Sequence, residues 1–181
     1  MHYLSLLILS LIFLAGCSCE QSGCPYGDDS CSRTSRSVSL DNESNAVSGT
    51  AKFSHRTFEN PLTVSGALHA KKVTFADLTV SGAGHLRQCT VKGQSSIQGS
   101  LYALKTDFEN RIVISGTATF DECTTHNIFV TKSYAHQPEI HLTHGTIVNG
   151  SVSFEDSEGI VYTQGHSQVK GEVKGGKIIQ K

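Results

Sequence analysis

The triplet Val-Ser-Gly and its close variants return along this chain at an almost constant interval: Val47-Ser48-Gly49, Val64-Ser65-Gly66, Val80-Ser81-Gly82, Ile97-Gln98-Gly99, Ile114-Ser115-Gly116 and Val148-Asn149-Gly150. The glycines are spaced 17, 16, 17 and 17 residues apart and then 34, or two steps of 17, with the absent member expected at Thr131-Lys132-Ser133. Triplets scattered by chance would drift out of phase over such a length. A fixed period this short is the mark of a solenoid, because one unit cannot bury a face by itself and must stack on its neighbours to make a core.

Within each unit the alternation is that of strands. Counting the Val or Ile of the triplet as position 1, position 5 reads Ala51, Leu68, Gly84, Leu101, Ala118, Ala135, Val152, and position 7 reads Phe53, Ala70, Leu86, Ala103, Phe120, Gln137, Phe154. Position 6 between them is polar or amphipathic: Lys52, His69, His85, Tyr102, Thr119, His136, Ser153. Positions 5 and 7 are therefore expected to face inward and position 6 outward. Position 12 forms a second inner column of Phe58, Phe75, Val91, Phe108, Thr125 and Leu142. Gly at position 3 suits a bend with positive φ, and position 14 (Asn60, Asp77, Gly93, Asn110, Asn127, His144) is rich in residues that tolerate the left-handed region.

These features predict an all-β fold over 47–181: a single-stranded, right-handed parallel β-helix (β-solenoid) of about eight coils of 16–17 residues. Stacked at the interstrand spacing, such coils rise roughly 4 nm. Composition agrees, since nearly every coil needs a corner glycine and the chain of 181 residues has 17 Gly but only 3 Pro and no Trp. The balance of 15 Lys plus Arg against 16 Asp plus Glu excludes a basic face broad enough to hold nucleic acid by phosphate neutralisation.

The amino-terminal region reads differently. Leu4 to Leu14 is apolar apart from Ser5 and Ser10 and ends in Leu14-Ala15-Gly16-Cys17. Eleven residues are too few to span a bilayer, which takes about 20 in a helix, whereas a short apolar run closed by small residues fits a cleaved export signal. The segment resembles the lipobox of bacterial lipoproteins, which implies a signal peptide over 1–16, diacylation of Cys17 and stable membrane anchoring. Ser18 after that cysteine implies sorting to the outer membrane, facing the periplasm or the exterior. Residues 17–46, rich in Ser, Gly, Asp and Asn and without apolar periodicity, are expected to be a flexible tether.

The tether holds Cys19, Cys24 and Cys31. Two of them can pair in an oxidising periplasm, leaving the third for an intermolecular bridge, while the lack of a CxxC spacing or a nearby His argues against metal. Cys89 and Cys123 both fall at position 10, two coils apart with Thr106 between. That places them near 9–10 Å from each other, beyond the reach of a disulfide, as buried small residues.

Short coils with Val-Ser-Gly steps, as in Val64-Ser65-Gly66-Ala67-Leu68 and Ile97-Gln98-Gly99-Ser100-Leu101, resemble bactofilins, polymer-forming β-helical proteins of bacteria. The resemblance covers roughly residues 47 to 175 and implies end-to-end polymerisation and a scaffolding role near the envelope. Typical bactofilins are cytoplasmic, whereas this chain is expected to be exported and lipidated.

Surface chemistry is sparse in the sequence. Polysaccharide-cleaving β-helices wall their grooves with loop insertions, and between Val64 and Ile147 the phase of the triplets predicts coils constant to within one residue. Positions 8 and 9 carry Lys71, Lys72, Arg87 and Lys105 in early coils and Asp121, Glu122, Glu139, Glu155 and Asp156 in later ones. One edge is thus expected to run from basic to acidic. Three readings apply to it: a solvated edge, a self-association flank on which two rods pair antiparallel, or a cation site where Glu122, Glu139 and Asp156 stack. His69 and His85 at position 6 of adjacent coils make half of a zinc site. No phosphate loop and no nucleophile paired with a base is found, so the expectation is a non-catalytic structural lipoprotein without a cofactor. The alternative is a binding module or degenerate enzyme for polysaccharide or peptidoglycan.

Overall fold

The computed structural model describes residues 45–131, 137–155 and 158–181, all within the compact unit Ser37–Lys181. The segment expected to be an export signal, Cys17, the cysteines Cys19, Cys24 and Cys31 of the expected tether, and Asp156 lie outside the described residues. The described chain is all-β, without a helix, and every strand pair in it is parallel. It is a β-solenoid of about eight coils, which begin near residues 46, 62, 78, 95, 112, 128, 152 and 173.

The first five coils keep the register that the triplets predict. Leu62–Arg87 pairs through ten residues per coil, with Val64 on Val80 and Gly66 on Gly82, and the next two coils repeat this with Ile97 and Ile114. Each coil has three faces. The first runs from two residues before the triplet to position 1, the second covers positions 5 to 8, and the third is the short strand ending at position 12, as in Thr90–Val91, Asp107–Phe108 and Thr124–Thr125.

The inner columns fill by complementary size. Positions 5 and 7 of one coil pair a small residue with a large one: Ala51 with Phe53, Leu68 with Ala70, Gly84 with Leu86, Leu101 with Ala103, Ala118 with Phe120. The order reverses from coil to coil in several steps, which lets a constant cross-section reach crystal-like density. Phe108 packs edge-on against Phe120 at 5.8 Å between ring centroids, and Phe58 stacks on Phe75 at 5.5 Å. A further inner column precedes the triplet: Leu62, Leu78, Ser95, Ile112, Ile128 and Val152.

Three kinds of corner close the coil. At position 3, Gly66, Gly82, Gly99 and Gly116 have φ between +130° and +141°. A Cβ on Gly66, Gly82 or Gly99 would lie 2.2 Å from the carbonyl oxygen of the glycine one coil before. Close approach and dihedral both demand glycine. At position 9 the left-handed residues are not glycine: Lys72, Gln88, Lys105, Glu122 and His144 have φ between 49° and 55°. Position 14 corrects the expectation of a left-handed corner. Asn60, Asp77, Asn110 and Asn127 lack positive φ, and several act through their side chains instead. Asp77 Oδ1 accepts from the Gln94 N–H at 2.7 Å and Asn127 Oδ1 from the Ser151 N–H at 3.0 Å, each joining one coil to the next.

A hydrogen-bonded column follows the position-9 corner. Thr106 Oγ1 donates to the Leu104 carbonyl at 3.1 Å and accepts from the Cys89 N–H at 3.4 Å. Cys123 takes the N–H of Thr106 on its sulfur at 3.5 Å, and Thr146 Oγ1 takes that of Cys123 at 3.1 Å. Cys89 and Cys123 are buried free thiols, as expected, and their S–H groups reach the Arg87 and Asp121 carbonyls at 3.4 and 3.2 Å.

After Val130 the register departs from the triplets. Val130, not Thr131, pairs with Ile114, and the coil starting at Ile128 runs 24 residues before Val152 takes its place, against 16 from Ile112 to Ile128. Most of the excess lies between Val130 and Ile140, where nine residues replace the three that separate Ile114 from Ala118. The expectations of constant coil length and of no insertions are therefore both overturned. Ile140 and Leu142 continue positions 5 and 7, with Val161 and Thr163 after them, and Val148 continues position 12 where Leu142 was expected. Val148-Asn149-Gly150 is accordingly not a corner triplet: Gly150 follows Asn127 in the position-14 column.

Candidate functional site

Because side chains alternate along a strand, positions 6 and 8 of the second face both project outward, and the stacked coils turn them into two parallel columns. The position-6 column is Lys52, His69, His85, Tyr102, Thr119, His141 and Tyr162. His69 and His85 stack with ring centroids 4.9 Å apart and planes within 5°, and Tyr102 follows His85 at 6.3 Å. His141 and Tyr162 stack again at 4.8 Å, and Lys181 Nζ lies 4.0 Å from the Tyr162 ring centroid. The position-8 column is Ser54, Lys71, Arg87, Leu104, Asp121 and Thr143.

Between the two columns, over the first four coils, runs an axial groove of about 530 Å³. His69, His85 and Tyr102 form one wall, Lys71, Arg87 and Leu104 the other, Lys52 closes one end, and Ala70 and Leu86 contribute to the floor. No carboxylate lines it. Partial burial, and then the neighbouring His85 and Lys52, hold the His69 imidazole below its usual value, so it is neutral at pH 7. Tyr102 is oriented from outside the groove, its hydroxyl donating to Asp121 Oδ2 at 3.4 Å.

The basic-to-acidic edge is shorter than its sequence suggests. Lys71, Arg87 and Asp121 share the position-8 column, and Lys72, Lys105 and Glu122 the position-9 corner. Glu139 and Glu155 stand elsewhere. Glu139 immediately precedes Ile140 and pairs with Ile160, and Glu155 follows Phe154 at the end of the first face. In the longer coil the corner after Glu122 is His144, so Glu139 does not stack on Glu122 as the cation-site reading required. Among the described residues no group of three His, Cys, Asp or Glu is placed to hold a metal ion, and His69 with His85 remains a pair.

Two pairs on this edge close within the molecule. Lys105 Nζ meets Glu122 Oε2 at 3.3 Å, with both side chains about half exposed, and Asp121 Oδ1 meets His144 Nδ1 at 2.6 Å. A carboxylate can only accept, so Nδ1 carries a proton there. Sequence reasoning placed His69, His85 and Tyr102 in one column but missed His141 and Tyr162, because the insertion after Val130 shifts both out of the counted phase.

No protein family, curated protein or solved structure matches this chain.

Proposed function

We propose that this chain is a lipid-anchored, non-catalytic structural protein of the bacterial envelope whose β-solenoid self-associates. The observation that carries the reading is the identity of register between successive coils. Leu78–Arg87 lies on the coil before it and under the coil after it through the same ten positions, with Gly above Gly and Val or Ile above Val. A coil built this way presents an edge that the other coils of the regular series, up to Asp121, fit, in this copy or another. Among the described residues Ala46–Phe58 pairs with one strand, Leu62–Phe75, and Gly176–Gln180 with one, Gly159–Thr163. Head-to-tail joining of such edges is heterologous and produces filaments when the rotation does not close. The resemblance to bactofilins points the same way, and the lipobox-like Leu14-Ala15-Gly16-Cys17 supplies the anchor.

The test uses the full chain, expressed with its signal and purified in detergent. Mass spectrometry should find an acylated amino-terminal Cys17 and electron microscopy elongated assemblies. Strict monomers at high concentration would overturn self-association, and an unmodified Cys17 in the soluble fraction would overturn the anchor. The second reading, a module that binds envelope polysaccharide, is favoured by the groove.

A further inference from the structure

We propose that the groove between the ring column and the cation column binds a linear acidic glycan, laid along the coil axis with its sugars in register with successive coils. The site goes beyond self-association and deepens the polysaccharide-binding reading, on which it rests. Its walls are chemically distinct. One carries the His69 and His85 imidazoles, whose nitrogens donate to and accept from sugar hydroxyls, and the Tyr102 hydroxyl, which gives its proton to Asp121 and can accept. The other carries Lys71 and Arg87, with Lys52 at the end, and Arg87 presents the planar fork that matches a carboxylate. A neutral sugar would use only the first wall and a simple anion only the second. A ligand with both hydroxyls and regularly spaced negative charge uses both.

The repeat of the protein supplies the periodicity. Coils recur at the strand spacing of about 4.8 Å, close to the length of one pyranose residue in an extended chain. The volume of about 530 Å³ falls within the range of roughly 300–1,000 Å³ usual for ligand sites. Single-stranded nucleic acid, the other polyanion with rings, fits poorly. It binds by stacking bases on exposed aromatic faces, and the His69 and His85 rings, 4.9 Å apart and parallel, leave no room for a third ring between them. The Tyr102–Asp121 hydrogen bond keeps the end of the ring wall in place, and Asp121 is itself held by His144, so the wall is organised before any ligand arrives.

The experiment is calorimetric titration of the full-length protein in detergent with three probes: oligogalacturonate, the same oligosaccharide with its carboxylates methyl-esterified, and polyphosphate. The expected result is binding of oligogalacturonate and loss of binding for the ester. Arg87→Gln and His85→Leu should each weaken the interaction by at least about tenfold, the worth of one charge-assisted or buried hydrogen bond. Both side chains are exposed, and unchanged melting curves would establish that the variants fold. Equal binding of the ester would overturn the role of charge. Polyphosphate binding as tight as that of the sugar, indifferent to His85→Leu, would reduce the groove to an unspecific anion site and overturn the proposal. Failure of all three probes to bind would also overturn it while leaving the self-association reading, which electron microscopy tests separately, untouched.

Discussion

Asp121 Oδ1 and His144 Nδ1 meet at 2.6 Å across 23 residues of sequence, one coil apart at the point where the coil no longer repeats every 17. The same carboxylate accepts the Tyr102 hydroxyl through Oδ2 at 3.4 Å, so one side chain ties the ring column of one coil to the corner of the next but one. Since the His144 side chain is 70% exposed, the pair adds little to stability. Asp121→Ala is expected to change unfolding free energy by less than about 1 kcal/mol. It should nonetheless remove the hydrogen-bond partner of His144 Nδ1, which the nitrogen chemical shift of that atom would register. A loss of several kcal/mol would mean that Asp121 has a structural role the ion pair does not explain.

The glycine corners should be far less tolerant. A Cβ on Gly116 would stand 1.9 Å from the Gly99 carbonyl oxygen, and its φ of +141° is one that side chains rarely adopt. At Gly49, with φ +96°, nothing lies within 4 Å of the same atom. Gly49→Ala therefore carries the dihedral penalty alone, about 1–3 kcal/mol, and Gly116→Ala should exceed it because two coils must also separate. Chemical denaturation of both variants decides the matter, and equal losses would remove the close-approach argument.

The early coils were legible for the same reason that these glycines are needed: a backbone contact between adjacent coils tolerates only one residue, so it recurs in phase. Positions 5, 7 and 12 could be read from Ala51 to Phe120 because alternation and period agree there. The reading failed after Val130. An insertion of six residues before Ile140, with smaller ones after Leu142 and Val148, shifts the phase while leaving Gly150 34 residues beyond Gly116, a distance that mimics two regular steps. A triplet such as Val148-Asn149-Gly150 holds too little information to expose the coincidence. The groove was half legible. Its residues could be assigned to columns from sequence, but the depth between positions 6 and 8 depends on side-chain directions, and the αL corners at Lys72, Lys105 and Glu122 carry no residue type that announces them.

Two threonines, both inside and one coil apart, should respond in opposite directions to the same replacement. Thr106 Oγ1 is bonded to the Leu104 carbonyl and the Cys89 N–H, whereas Thr125 Oγ1, fully buried between Phe108 and Val148, has no hydrogen-bond partner. Thr106→Val strands the Cys89 N–H, while the Leu104 carbonyl keeps its bond from the Gln88 N–H, and is expected to cost about 1–3 kcal/mol. Thr125→Val relieves a desolvated hydroxyl and should stabilise by about 1 kcal/mol. Thermal unfolding of the two single variants gives the signs directly.

Acidification reports on the groove. With His69 held below 6.5 by partial burial, His85 and Lys52, the unfolded chain takes up this proton before the folded one does. The His69 contribution to stability is thus complete above pH 6.5 and declines as pH falls through the folded value. Proton NMR should place the His69 midpoint below 6.5, and Lys52→Gln should raise it. A midpoint at or above 6.5 in the native chain would show that the groove is more open to water than its lining implies.

At the alkaline end the determining group is Cys123. Burial pushes its thiol from 9.0 up to about 11, with the nearby Asp121 charge acting in the same direction and backbone hydrogen bonds opposing. Below pH 9 both folded and unfolded chains keep the proton, and the thiol has no effect on their balance. Between 9 and about 11 the unfolded chain gives up its proton while the native chain retains it, so the unfolded state binds fewer protons and stability falls as pH rises. For a shift of this size the loss is on the order of 2 kcal/mol by the upper end of the window. Lysines and tyrosines titrate in the same range, so the comparison that isolates Cys123 is the difference between the native chain and Cys123→Ser, a replacement that keeps a hydrogen-bonding group between Thr106 and Thr146. That difference should stay flat from pH 7 to 9 and then narrow in favour of the variant. Native-state alkylation of Cys123 by iodoacetamide at pH 8, followed by peptide mass mapping, should be slow and become fast in urea. A difference that remains constant through pH 11, or rapid alkylation of Cys123 itself in the folded protein, would mean that this thiol is not held in the dry interior of the coil.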